Sequence, residues 1–155
     1  MEQGKASEQV NRAQQLIQVA ARDIEQDCTD YQGLQGLMHS LYEQLLLRDC
    51  EKIAQLNQQI MVLVEFISQR AQRRHKILTA FGIPAAASNS GIVKLLCTLP
   101  DSTQALARWA QLENLIKETK TLNDRNGKLL AMHNDIINQI MGGQVTEQVY
   151  SPRYY

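Results

Sequence analysis

The chain has 155 residues, 16 Lys plus Arg against 16 Asp plus Glu, and only 5% aromatic residues. With no net charge it lacks the field that gathers nucleic acid or an anionic membrane surface. Three cysteines, Cys28, Cys50 and Cys97, form no CxxC pair and leave an odd number, which argues against a disulfide framework and for a reducing compartment. The opening MEQGKASEQVNRAQQ has no apolar signal region. No stretch approaches the ~20 apolar residues that span a bilayer, so a soluble, cytoplasmic chain is expected.

Gly and Pro are few and clustered, and the long unpunctuated stretches between them predict helices. A heptad seam runs Val10, Ala13, Ile17, Ala20, Ile24, Asp27, Tyr31, Leu34, Met38, Leu41, Leu45, with Asp27 its one polar interruption and Ser7 a predicted N-cap. After Leu45 the phase slips. A second seam follows: Ile53, Leu56, Ile60, Leu63, Ile67, Arg70, Arg74, Ile77, Phe81. A hairpin at Arg48-Asp49, with Asp49 capping the second helix, accounts for the slip without a Gly or Pro to mark it. Gly82 and Pro84 stop that helix, IPAAASNSG reads as a loop, and IVKLLCTL as a short helix ending at Pro100. Asp101 or Ser102 then caps the last long helix. Ala105, Leu106, Trp109, Leu112, Leu115, Ile116 and Thr119 lie along one face of it, and Gly142-Gly143 ends it.

Inside that helix stands LNDRNGKLL, residues 122–130. Asn-Gly is a strong hairpin signal, yet neither flank alternates with period two as strands would. Leu115, Leu122, Leu129 and Ile136 keep a seven-residue spacing straight through it, so the helix is expected to continue. A mid-helix glycine costs about 1 kcal/mol against alanine. Gly127 would allow a close neighbour, and Asn126 would hydrogen-bond across an interface and fix register; a local bend with a solvated Asn stays open.

Nothing resembles a catalytic constellation. His39, His75 and His133 are far apart in sequence, with no metal-ligand spacing and no phosphate-binding or nucleophile motif, so neither an enzyme nor a cofactor is expected. The cysteines read as small buried hydrophobes. RAQRRHK, residues 70–76, lies opposite Asp23, Glu25, Asp27 and Asp30 across the hairpin. Inter-helix ion pairs of small energetic weight, or an anionic docking site, would account for it. Tyr150, Tyr154 and Tyr155 crowd the tail, where no core receives them, and exposed tyrosines are natural interface anchors. The expected organisation is all-α: an antiparallel bundle of three long helices plus one short helix over residues 1–143, and a mobile C-terminal tail over 144–155.

HKILTAFG, the single Trp within LARWAQLENLIKETKTLN, the DRNGKLL element and the VYSP tail together resemble the FlgN family of flagellar export chaperones. The tail departs from the family's Tyr-Gly-x-x-Gly in reading Tyr150-Ser151-Pro152-Arg153. The resemblance implies a cytosolic chaperone for the hook-associated proteins FlgK and FlgL. Such a chaperone delivers its clients to the export ATPase complex and export gate. It assigns Asn126, Gly127, Leu129 and Leu130 to a family element and Tyr150 to the export gate. The residues themselves are compatible with a client surface. Leu122, His133, Ile136, Ile137, Ile140 and Met141 extend that element into a stripe broader than one seam needs, able to take an amphipathic helix. A coiled-coil scaffold, with the seam consumed in a homodimer, is the alternative.

Overall fold

The computed structural model describes residues 2–142. Four helices make it up: α1 (Glu2–Leu47), α2 (Cys50–Ala80), α3 (Ser88–Leu96) and α4 (Ser102–Ile140), with a 3-10 turn at Ala85–Ala87 leading into α3. The fold is the expected all-α antiparallel bundle. The tail of residues 144–155 lies outside the described residues.

The first seam is buried from Ile17 to Leu45, at all nine of its predicted positions between those two. It does not reach further back: Val10 is 57% exposed. Ser7 is not an N-cap, because α1 already starts at Glu2 and the Ser7 hydroxyl donates back to the Gly4 carbonyl at 3.2 Å. A serine inside a helix has no orphan amide to cap and turns to a carbonyl instead.

The inferred hairpin is present. Arg48 takes a left-handed φ of 56°, the Arg48 amide donates to the Leu45 carbonyl, and the Asp49 amide donates to Gln44. This is the paired closure of a Schellman motif, with arginine where glycine is usual. Asp49 then caps α2, its Oδ1 accepting from the Lys52 amide at 3.1 Å. Gly82, φ 72°, closes α2 in the same way, with Ile83 donating to the Leu78 carbonyl. Ile83 in turn explains a glycine downstream, since a Cβ on buried Gly91 would lie 2.5 Å from Ile83 Cγ2. IPAAASNSG is therefore not wholly a loop. Its alanines form the 3-10 turn, and α3 begins at Ser88, the glycine being needed for packing, not for a turn.

The helices contribute to two compact units. One is built from residues up to Asp30 with Phe66–Asn114, the other from Tyr31–Glu65 with α4 from Leu115 on. In the first, Asp23 faces Arg73 and Asp27 faces Arg70 and Arg74, so α1 and α2 run antiparallel. Ile24, Ile92, Leu96 and Leu112 fill the centre of this unit. In the second, Leu34, Met38, Leu41 and Leu45 of α1, Ile60 of α2 and Leu115 of α4 are all buried. Gln35 Nε2 donates to the Leu115 carbonyl and to Thr119 Oγ1, and Asn126 donates to the Met38 carbonyl. Within this unit α4 thus runs parallel to α1.

Candidate functional site

The helix does continue through Asn-Gly. Asn126 is 3% exposed, and its Nδ2 donates to the Met38 carbonyl at 2.9 Å. The register-fixing bond anticipated across an interface is made inside the chain. Beside it the Arg125 guanidinium lies 3.9 Å from the centre of the Tyr42 ring, a cation–π contact. Leu122, Gly127, Leu129, Leu130 and His133 are half-buried. Beyond them cover fails: Ile136 is 38% exposed, Ile137 51%, Met141 64% and Ile140 77%, with Met132 at 60%. The stripe of the sequence therefore divides into a register residue (Asn126), a half-covered middle, and an open apolar end. Tyr150 lies outside the described residues.

The register explains where cover stops. Met38 is level with Asn126, and Gln35 with residues 115–119. Carried along α1 at equal rise per residue, Leu47 comes level with about residues 127–135. There α1 ends and the chain turns into α2. The last turns of α4 pass the hairpin and have no α1 or α2 turn beside them. Met141 and Gly142 close the helix, their amides donating to Ile137 and Gln139.

RAQRRHK proves structural. Arg73 pairs with both Asp23 oxygens at 2.6 Å, Arg70 Nε reaches Asp27 at 2.5 Å and its Nη2 reaches Asp30, and Arg74 reaches Asp27 at 3.0 Å. The pairing was expected, but not its burial: Asp27 is 0% exposed and the Arg70 and Arg74 side chains 12% and 14%. Burial opposes the Arg70 charge, yet the hydrogen bonds it donates to Asp27 and Asp30 hold its pKa above the ordinary value. Arg74 also lies 5.7 Å from the Trp109 ring centre. Asp27, the odd polar residue of the seam, is the hub of this network.

The cysteines were expected to be buried, and only Cys28 is; Cys50 and Cys97 are exposed. Cys50 sits at the hairpin and Cys97 just past the end of α3, where no element covers them. The Cys28 thiol donates to the Arg108 carbonyl at 3.4 Å, and burial raises its pKa. Among the described residues no group of three or more His, Cys, Asp or Glu is placed to hold a metal ion, and no helix is long and apolar enough to cross a membrane.

Sequence reading missed a further set of exposed apolar residues: Leu46 and Leu47 at the hairpin tip, and Met61, Val62 and Phe66 on α2. The signal was present in Leu45-Leu46-Leu47, where one leucine satisfies the seam and two are left over.

Fold and surface together define an all-α helical-bundle protein whose ionic groups serve the fold and whose last helix ends in an uncovered apolar face. The chain belongs to the FlgN protein family, whose model matches residues 24–153. That family is one of flagellar export chaperones and not of enzymes. No curated protein and no solved structure matches the chain.

Proposed function

We propose that this chain is a cytoplasmic chaperone that binds the hook-associated proteins FlgK and FlgL, keeps them from assembling early, and passes them to the export ATPase complex and export gate. The reading joins the family's role to one observation: Ile136, Ile137, Ile140 and Met141 form an apolar face without cover at the end of α4. Such a face takes an amphipathic helix by the helix-in-groove mode, with anchors every three or four residues. Leu129, Leu130 and His133 continue it inward, and Met132 and Met141 supply adaptable surface. Leu122, Asn126 and Gly127 act from behind, by holding α4 in register. Tyr150 is the residue offered to the export gate. Neither a cofactor nor a chemical step enters.

Calorimetric titration with the terminal peptide of FlgK or FlgL tests this. The wild-type chain binds one peptide. The double variant Ile137→Asp, Ile140→Asp, changed at residues more than half exposed, keeps its helicity and loses binding. A peptide that gives no heat, or that binds the variant equally well, refutes the proposal. So does light scattering that finds a stable oligomer with this face consumed, the scaffold alternative.

A further inference from the structure

Resting on the reading of α4 as the client surface, we infer that the site has a second wall: the tip of the α1–α2 hairpin, through Leu46 and Leu47, with an apolar helix of the client seated between it and the end of α4. Leu46 and Leu47 are 55% and 72% exposed. They stand where the register brings the end of α1 level with α4 at about residues 127–135. Past that level Ile136, Ile137 and Ile140 are exposed. The two apolar sets thus meet at a step, with the hairpin tip as its riser and the last turns of α4 as its tread.

The shape of the occupant follows from the seam. Thr119, Asn126, His133 and Ile140 share one seven-residue series, and Leu115, Leu122, Leu129 and Ile136 another. Up to about residue 130 these positions are covered by a helix, α1, lying parallel to α4. The same spacing carries on where α1 has ended, so what completes it is another helix in the line α1 would have followed. That helix abuts the hairpin end-on, beside the exposed Leu46 and Leu47. Charge around the step is of both signs (Arg48, Lys52 and Lys128 against Glu43, Glu51 and Asp135), so apolar anchors and not net charge select the guest.

The test is fluorescence anisotropy with a labelled helical terminal peptide of FlgK, on the full chain. The double variant Leu46→Ser, Leu47→Ser is expected to weaken binding at least tenfold, about what losing burial of one leucine implies. The double variant Met61→Ser, Val62→Ser, equally exposed but about 16 Å along α2 from the tip, binds as wild type. A photo-crosslinking residue in place of Leu47 captures the peptide, and one in place of Met61 does not, which keeps the question decidable should the serine variant misfold. Undiminished binding by the hairpin variant, with binding lost in the α4 variant, overturns the second wall and leaves the proposed function standing. No binding by the wild type removes both. A dimer that the hairpin substitutions dissociate overturns the inference by making a second copy the occupant.

Discussion

Arg70 and Arg12 each reach a carboxylate, yet they are not equivalent. Arg12 and Glu8 pair at 3.1 Å on open helix surface, both side chains well over half exposed. Water competes with such a pair, which contributes a few tenths of a kcal/mol. Arg70 is enclosed with Asp27 and Asp30. Truncating it leaves Asp30 without its cation and the fully buried Asp27 with Arg74 alone, and that costs about 2–3 kcal/mol. Arg70→Gln is therefore expected to lower the urea midpoint markedly, whereas Arg12→Gln shifts stability by less than about 0.5 kcal/mol. Equal effects would mean that the Asp27 site admits water. The pairing was legible in the sequence, because the seam phase put Asp27 and Arg70 on facing stripes. Its burial was not, because burial depends on how closely α1, α2 and α4 approach, and no local pattern encodes that distance.

At the scale of the element, the hairpin shows what periodicity can find without a turn residue. The one-residue slip between Leu45 and Ile53 located a break that composition did not mark. The chain accomplishes it with Arg48 at φ 56°, a conformation that costs an L-residue roughly 1–2 kcal/mol. Glycine there removes the strain but enlarges the freedom of the unfolded chain. Arg48→Gly should accordingly stabilise the protein modestly, by up to about 1 kcal/mol, as a rise in thermal midpoint. Destabilisation would instead assign the arginine side chain a contact of its own. By contrast, α3 was placed late by four residues, because Ser88, Asn89 and Ser90 read as loop chemistry. What orders them is Ile83 folding over Gly91, a contact between segments eight residues apart that a reading by propensity does not see.

For the whole chain, the question is which stretches carry stability and which are left for other work. In the first unit, Asp23 is level with Arg73 and Cys28 with Arg108. By equal rise, α2 ends and α4 begins beside residues 16–22 of α1, and no described residue before Ile17 is buried. The family match likewise starts only at residue 24. Removing residues 2–13 should leave unfolding by urea within about 0.5 kcal/mol of wild type, and a larger loss would reveal a partner for that stretch. The candidate site was half legible: the excess of apolar positions after Leu129 could be read from spacing alone. That Asn126 turns inward while Ile137 and Ile140 stay open could not, since it is set by where α1 stops relative to α4.

That stopping point has one more effect. The backbone of the final turns of α4 carries its hydrogen bonds with solvent on the side where α1 is missing, so these turns open and close locally at little cost, and their amides exchange hydrogen with water far sooner than those near Leu112. Any guest seated there must hold the helix end shut as well as fill it, and part of the contact energy goes into that ordering. A grip made this way is moderate and quick to release.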